Sequence, residues 1–391
     1  MLTAKTDNGQ TISLGDIIVN KQSLLPLRGR LFYCPQCSNK VILKAGPKKV
    51  AHFAHEKGAD CTDYYERETE YHLLGKLRLF EWLKNKGLSP ELEPYFSHIR
   101  QRADISFVYN KKTYCIEFQC SPIPEELFIK RTTNYLKNSL IPIWILGGKN
   151  IKRSNNHRAT LSSFDYLFLR KNANQNWFIP AFCPNSNQLI ILNNLYPFSI
   201  RHATSAFSIT PITKMNLEDL LNPPIITRCN YVDWLSAIQR YKTSLITNSR
   251  AFSNPFLLEL YHRSLSPQLL PPYIGFPLKN HIAIETPPFI WQTYLIIDNL
   301  VSLEVGEVIN FQHVYLSLLK RINKNEVRVR RLPLIKENTL PFLLKDYLIL
   351  LSKWNIIRQL DNNHFILVSA ITSSKNVLDA IKIEEEFYRN Q

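Results

Sequence analysis

Residues 102–120 read RADISFVYNKKTYCIEFQC and have the pattern of two strands joined by a tight turn. If Asn110-Lys111 forms a two-residue turn, the numbering pairs Asp104 with Glu117 across the hairpin. Directly opposed residues lie on the same face, with Cβ atoms about 5 Å apart. Gln119 shares that face because side chains alternate along a strand. The stretch therefore predicts two carboxylates and an amide on one face of a hairpin.

The other face of this hairpin is apolar and is expected to pack into the core. Its residues are Ile105, Phe107, Ile116 and Phe118. On the polar face, Asp104 and Glu117 repel each other unless a cation lies between them. Hard oxygen ligands suit Mg²⁺ or Mn²⁺, and such an ion lowers the pKa of bound water and holds a scissile phosphate. The alternative is an ordinary solvated surface pair.

The hairpin lies within a predicted order of helix, three strands, helix and strand. The first helix is predicted to begin near Asp63, where Glu66 completes a capping box, and to end at Gly87. The elements that follow are predicted at about 91–96, 103–109 and 113–120 (strands), 124–138 (helix) and 141–146 (buried strand). This order predicts an α/β domain at residues 63–150.

Three polar residues recur at intervals of four on the first helix: Glu68, His72 and Lys76. That spacing aligns them along one edge of the helix. We expect Glu68 to complete the ligand shell of the metal ion or to orient the attacking water.

Residues 32–61, FYCPQCSNKVILKAGPKKVAHFAHEKGADC, combine a CxxC knuckle with two histidines and a third cysteine. The five candidate ligands are Cys34, Cys37, His52, His55 and Cys61. A closed tetrahedral zinc site needs four, and residues three apart in a strand face opposite sides. We therefore expect His55 to bind with the cysteines and His52 to be the spare. The role is structural, although chance cysteines in a core are the alternative.

The strings ETEYHLLGK, RADI and IEFQC, with CPQC and HFAH upstream, resemble the competence protein CoiA family across about residues 30–148. CoiA-like proteins are associated with natural transformation in Gram-positive bacteria and contain a PD-(D/E)XK nuclease-like domain. The predicted order of elements is the core of that superfamily. The resemblance thus implies a restriction-endonuclease-like core that follows an N-terminal zinc-binding β module.

The resemblance also implies a catalytic set at Glu68, His72, Lys76, Asp104, Glu117 and Gln119. Gln119 departs from the superfamily, which usually has a lysine there to orient or stabilise the attacking water. A neutral glutamine brings no positive charge. Either Lys76 or His72 substitutes for that lysine, or the activity is weak or lost.

The charge of the chain indicates a polyanionic partner. Lys and Arg outnumber Asp and Glu by 48 to 32, a formal net charge of +16. The residues expected to contact DNA are Arg102, Arg131, Tyr135, Arg328, Arg330 and Arg331. The basic segment 321–331 is expected to form an exposed strand that grips phosphates, with a solvated edge strand as the alternative. For Arg131 and Tyr135 the alternative is an ordinary helix-surface pair.

Three regions are expected: the β module at 1–62, the nuclease-like domain at 63–150 and a mixed, mostly helical C-terminal region at 151–391. A polar, basic stretch at 149–158 marks the second boundary. Near the C-terminus, a helix at about 340–354 and a hairpin at 356–368 form a pattern analogous to a winged helix. We find no signal peptide and no membrane span, and the seven cysteines suit a reducing cytoplasm.

The sequence thus favours a metal-dependent DNA nuclease that processes incoming DNA for recombination in natural transformation. DNA, in single-stranded or branched form, is the expected partner, with recombination proteins as further partners. Two alternatives stay open. One is a DNA-binding recombination factor that keeps the nuclease fold without cleaving, and the other is a zinc-containing adaptor for recombination proteins.

Overall fold

The computed structural model describes residues 1–46, 49–56, 61, 68–155, 157–225 and 229–391. These residues form two compact units. Unit 1 comprises Met1–Ile151, Leu167–Leu192 and Phe207–Pro224, and unit 2 comprises Lys152–Tyr166, Asn193–Ala206 and Ile225–Gln391. The three-region division drawn from the sequence stays a prediction.

Both units mix helices and strands. The strands are β1 (Thr3–Thr6), β2 (Thr11–Ser13), β3 (Phe32–Tyr33), β4 (Lys40–Lys44), β5 (His52–His55), β6 (Glu91–Leu92), β7 (Tyr95–Phe96), β8 (Gln101–Arg102), β9 (Ile105–Tyr109), β10 (Lys112–Gln119), β11 (Leu140–Gly147), β12 (Lys152–Asn155), β13 (Arg158–Thr160), β14 (Arg170–Lys171), β15 (Trp177–Cys183), β16 (Gln188–Pro197), β17 (His202–Pro211), β18 (Val308–Asn310), β19 (Ile357–Gln359) and β20 (His364–Leu367). The helices are α1 (Leu14–Val19), α2 (Glu70–Asn85), α3 (Glu125–Lys137), α4 (Ser163–Tyr166), α5 (Leu217–Leu221), α6 (Tyr231–Thr247), α7 (Pro255–His262), α8 (Pro288–Asn299), α9 (Phe311–Asn323), α10 (Leu340–Lys353) and α11 (Val377–Arg389).

A five-stranded sheet in the order β2-β1-β3-β4-β5 opens unit 1. A turn through Asn8 and Gly9 joins β1 to β2, and Gly9 has the positive φ that favours glycine there. Phe32 and Phe53 pack against each other in the core of this sheet, with tilted rings whose centroids are 4.8 Å apart. The short helix α1, capped by Ser13, was not predicted from the sequence.

The register of the central hairpin is the predicted one. Ile105 pairs with Ile116, and the numbering then sets Asp104 opposite Glu117. The Asn110-Lys111 turn has φ of 47° and 60°, as a two-residue turn between twisted strands requires. β11 runs parallel to β10 on its other side, while β6 pairs antiparallel with β9.

Two helices cover opposite faces of this sheet. Gly75 of α2 lies against Phe118 of β10 so closely that an added Cβ would be 1.9 Å from the Phe118 ring. The preceding residue, Glu117, contacts α3 instead, and adjacent residues of a strand face opposite sides. On the α3 face, Trp144 stacks on Phe128 with ring centroids 3.9 Å apart.

The boundaries of the first helix differ from the prediction at one end. The predicted start at Asp63 and Glu66 lies outside the described residues. As described, α2 begins at Glu70, where Thr69 caps it by accepting a hydrogen bond from the His72 amide. Its end before Gly87, which has φ of +76°, agrees with the prediction.

The predicted strand at 91–96 is in fact two short strands. Glu93 has a positive φ of 52° and precedes a proline, so the chain turns there. β6 stays with the central sheet, whereas β7 pairs with β8 in a separate small hairpin.

Unit 2 contains a three-stranded sheet in the order β18-β20-β19, next to which the helices share one large apolar core. The predicted helix and hairpin near the C-terminus are present as α10, β19 and β20. α10 is a core helix rather than an exposed reading helix, because one side of it is fully buried: Leu343, Leu344, Tyr347, Leu348 and Leu351. The winged-helix analogy stays a prediction.

The predicted basic strand at 321–331 is wrong. Its first three residues belong to α9, and Val329 alone makes an isolated bridge, to Ile284. None of the described helices is both long and apolar enough to cross a membrane.

Candidate functional site

Four metal-ligating side chains meet beside the N-terminal sheet. Cys34 and Cys37 lie in the turn between β3 and β4, His55 ends β5, and Cys61 follows it. One ligand atom of each lies within 4.8 Å of the others, and Cys37 Sγ is 3.3 Å from His55 Nε2. These are the four residues that the sequence analysis preferred. Three thiols and an imidazole could hold zinc in a closed tetrahedral site.

His52 is the spare histidine, as predicted. It begins β5 three residues before His55, and its Nδ1 lies 2.9 Å from the Val50 carbonyl oxygen. It takes no part in the four-residue cluster.

A second site is a cleft of about 110 Å³ that lies between α2, the central hairpin and α3. Most residues predicted as catalytic line it: Glu68, His72, Asp104, Glu117 and Gln119. Arg102 and Arg131 line it as well, and Phe118, Ile123 and Leu127 give it an apolar side. Lys76 does not line the cleft.

Asp104 is held by α2 and by the neighbouring strand. Its Oδ2 lies 3.2 Å from His72 Nε2 and accepts a 2.8 Å hydrogen bond from the Phe118 amide. Burial alone would raise the pKa of Asp104, but His72 and Lys76 outweigh it and hold that pKa well below its usual range. The carboxylate is therefore ionised and fixed in place.

Glu117 is held from the other face of the sheet. Arg131 and Tyr135, one turn apart on α3, both donate to its Oε1, Tyr135 from 2.5 Å. Burial raises the pKa of Glu117, and the Arg131 guanidinium opposes this only in part. Arg131 and Tyr135 are thus supports of the site, and the expectation that Tyr135 contacts phosphates is wrong because its ring is fully buried.

Lys76 is the centre of a buried charge network. Its ammonium, fully shielded from solvent, lies 2.5 Å from Glu68 Oε1, 2.5 Å from Glu93 Oε1 and 3.7 Å from Asp104 Oδ1. Burial would lower the pKa of Lys76, but the three carboxylates reverse this and raise it. Glu68 also accepts a hydrogen bond from the Met1 amino group at 2.6 Å.

Glu93 is the member of this network that sequence reasoning missed. It accepts hydrogen bonds from the amides of Leu2 and Thr3, at 2.9 and 3.1 Å, and from the Thr3 hydroxyl at 2.9 Å. Arg102 Nη1 lies 3.9 Å from its other side. The only sequence signal was a glutamate wedged between Leu92 and Pro94, which does not reveal a partner.

We expect the stability that Glu93 provides to disappear in acid. The Lys76 ammonium and Arg102 overcome the effect of burial and lower the pKa of Glu93 from 4.5 to about 2. Because this pKa is lower in the folded than in the unfolded protein, ionised Glu93 stabilises the fold fully above pH 4.5. That stabilisation is lost as the pH falls towards 2. The difference in unfolding free energy between the wild type and Glu93→Gln, measured with EDTA present, should therefore shrink between pH 5 and pH 2.5. A constant difference over that range would contradict the assignment.

Asp104 and Glu117 each have one oxygen that accepts no hydrogen bond from the residues that the structure describes. Within the described residues, no hydrogen bond reaches Oδ1 of Asp104 or Oε2 of Glu117. Glu68 is not gathered with them: in the described part of the chain, only the cysteine–histidine cluster forms a group of three or more side chains that could hold a metal ion. The role of Glu68 in the site stays a prediction.

The remaining residues predicted to bind DNA differ in exposure. Arg102 is buried at the cleft, and Arg330 packs over the Tyr166 ring at 3.7 Å, so neither is a free surface cation. Arg328 is exposed and lies 3.7 Å from Glu285, and Arg331 is exposed. The phosphate contacts expected of these arginines stay predictions.

Family models match almost the whole chain. The N-terminal domain of competence protein CoiA matches residues 18–64, the nuclease-like domain matches 68–225 and the C-terminal domain matches 230–381. The chain belongs to the competence protein CoiA family. The nuclease-like match includes all six residues predicted as catalytic, and the N-terminal match includes the cysteine–histidine cluster.

One characterised relative illustrates how far the similarity extends. A protein of Bacillus subtilis (strain 168) named competence protein CoiA is 28% identical over 354 residues, which are 90% of this chain and 93% of that protein. No solved structure matches the chain.

Proposed function

We propose that this chain is a metal-dependent deoxyribonuclease that processes incoming DNA for recombination in natural transformation. One observation carries the proposal: Asp104 and Glu117 line the same cleft of a nuclease-like domain, and each has one oxygen without a hydrogen bond from the described residues. The match to CoiA domains and the name of the Bacillus subtilis relative support the link to competence.

The donor atoms of the cleft suit Mg²⁺ or Mn²⁺, which prefer carboxylate oxygens. Asp104 and Glu117 would hold the ion, and it would supply an activated water and positive charge for a phosphodiester. The chain itself fixes these two carboxylates from opposite sides. His72 and the Phe118 amide orient Asp104, while Arg131 and Tyr135 orient Glu117.

Gln119 stands where the superfamily usually has lysine. Its Nε2 donates to the Ser121 carbonyl oxygen at 2.8 Å, so the amide has a fixed orientation in the cleft. Lys76 is a poor substitute because three carboxylates enclose its buried ammonium. His72 and Arg131, which do line the cleft, are the better candidates for the missing positive charge.

For the cysteine–histidine cluster we propose structural zinc. The ligands belong to separate strands and turns of the N-terminal sheet, so the ion would tie them together. A site with four protein ligands has no open position for a substrate.

The proposal is tested by incubating the purified full-length protein with single-stranded, duplex and branched DNA and either Mg²⁺ or Mn²⁺. We expect slow cleavage, faster with Mn²⁺, that is abolished in Asp104→Ala and in Glu117→Ala, because neither carboxylate alone positions the ion. Glu81→Ala, which removes a partly exposed carboxylate from α2, is the matched control and should keep full activity. Gln119→Lys should keep or raise the rate.

Two outcomes would overturn this reading. Cleavage undiminished in both alanine variants would come from another site or a contaminant. No cleavage of any DNA form with either metal would favour the second candidate, a DNA-binding recombination factor that does not cleave. That candidate is favoured by Gln119 and by the side chains already bound to the two carboxylates, His72 to Asp104 and Arg131 to Glu117.

A further inference from the structure

A small hairpin stands beside the cleft and presents polar side chains outward. β7 pairs with β8, with Tyr95 opposite Arg102 and Phe96 opposite Gln101. Phe96 anchors the hairpin inward by packing edge-on against Tyr135, with ring centroids 6.4 Å apart. In the connecting turn, His98 and Arg100 are exposed.

Hydrogen bonds join this hairpin to the adjacent face of α3. Gln101 Nε2 donates to the Arg131 carbonyl oxygen at 3.2 Å, and Asn134 Nδ2 lies 3.4 Å from Gln101 Oε1. Lys130, Asn134 and Lys137 are four and three residues apart and therefore share one stripe of the helix. The two exposed lysines thus flank the point at which α3 contacts the hairpin.

We define the basic rim as His98, Arg100, Lys130 and Lys137. All four side chains are exposed, and none forms an ion pair with any residue that the structure describes. Of the carboxylates nearby, Glu93 and Glu117 are buried and bound by other cations, whereas Glu126 is exposed one helical turn before Lys130. The three charges of Arg100, Lys130 and Lys137 exceed that one carboxylate, so the rim carries a positive excess, which attracts phosphates.

The basic rim adjoins two residues of the cleft lining. Arg131, which follows Lys130, lines the cleft and donates to the Arg102 carbonyl oxygen at 2.9 Å. Tyr95 is 41% exposed and lies across the hairpin from Arg102, another residue of the cleft lining. Cross-strand partners of this kind have Cβ atoms about 5 Å apart, so Tyr95 lies beside a residue of the cleft lining.

From this arrangement we propose that the basic rim binds single-stranded DNA and directs it into the cleft. Cations along a track with an aromatic ring at its end match a strand whose phosphates contact the track and whose unpaired base stacks on the ring. Tyr95 favours single-stranded over duplex DNA, because the bases of a duplex are stacked on each other and cannot stack on the Tyr95 ring. The inference rests on the proposed function in that it names the form of DNA and its path to the same cleft.

The test measures binding of a fluorescent oligothymidylate to the full-length protein by anisotropy, in EDTA so that nothing is cleaved. Arg100→Glu with Lys130→Glu should weaken binding about tenfold or more at moderate salt and flatten the salt dependence by about one to two units of slope, as expected for two lost phosphate contacts. Tyr95→Ala should weaken it about fivefold or more. The matched control is Lys5→Glu with Lys112→Glu, two exposed lysines of unit 1 that give the same change in net charge.

Unchanged DNA affinity in the Arg100→Glu, Lys130→Glu variant would overturn the inference, and so would an equal loss of affinity in the control variant. A third contrary result would be duplex DNA bound as tightly as single-stranded DNA together with no effect of Tyr95→Ala on binding. Circular dichroism of each variant checks that it is folded. The outcome is separable from the nuclease proposal. Rim-dependent binding without cleavage would defeat only the nuclease activity, whereas cleavage with rim-independent binding would defeat only the rim.

Discussion

Lys76→Met should lower the free energy of unfolding of unit 1 by about 3–5 kcal/mol, the usual cost of breaking a buried ion pair by removing one partner. The reason is that Glu68 and Glu93 would keep their negative charges inside the protein with no ammonium 2.5 Å away. Methionine fills the space of the lysine stem, so the effect reports charge rather than a cavity. Hydrogen exchange of α2 and β10 measures it within the full-length chain.

The matched control for this change is Lys84→Met on the same helix. Lys84 pairs with Asp16 at the surface. Lys84→Met should therefore lower the free energy of unfolding by less than about 1 kcal/mol. Adding Glu93→Gln to Lys76→Met should recover part of the loss, since it removes one uncompensated charge from the same network. If Lys76→Met costs no more than Lys84→Met, the ammonium is not the centre of the buried network.

The central hairpin could be predicted because its signals are local. The Asn110-Lys111 turn fixes the register of β9 and β10. Alternation fails only for Asp104, which precedes β9 and binds α2, whereas Glu117 binds α3 on the other face. Likewise the Pro124 start of α3 and the Cys34 knuckle are visible within a few residues. Features set by neighbours in the sequence were therefore found correctly.

What failed depends on contacts between distant residues. The Glu93 carboxylate meets Lys76, 17 residues away, and the Leu2 amide, 91 residues away. Helical spacing placed Arg131 and Tyr135 on one face but did not show that this face points into the sheet rather than towards DNA. Arg330 lies in a basic run, yet it is only partly exposed and packs over the Tyr166 ring. Charge and period alone do not identify the surface against which a residue packs.

The same contacts change how the missing lysine is understood. From the sequence, Lys76 and His72 were equal substitutes for the cation that Gln119 lacks. The structure separates them, because Lys76 is enclosed by carboxylates while His72 and Arg131 line the cleft. Under the proposed function, the missing charge would have to come from two groups that also orient the carboxylates, and we therefore expect slow cleavage.

Cys37→Ser should abolish zinc binding, reducing the content of freshly purified protein from about one ion per chain to none. The Cys37 thiol lies 3.3 Å from His55 Nε2 within the four-residue cluster, and a serine hydroxyl is a much poorer zinc ligand. Structural zinc sites contribute binding free energies of roughly 10–16 kcal/mol to folding in small zinc peptides, so the N-terminal sheet should loosen. Elemental analysis measures the ion, and hydrogen exchange should rise in β3, β4 and β5 while β9 and β10 keep their protection.

The chain offers a closely matched control in His52→Asn. His52 and His55 are on the same strand, three residues apart, but only His55 belongs to the cluster. We therefore expect His52→Asn to keep its zinc and His55→Asn to lose it. Wild-type protein isolated without zinc would defeat the zinc assignment. Retention of the ion in both Cys37→Ser and His55→Asn would mean that other residues hold it.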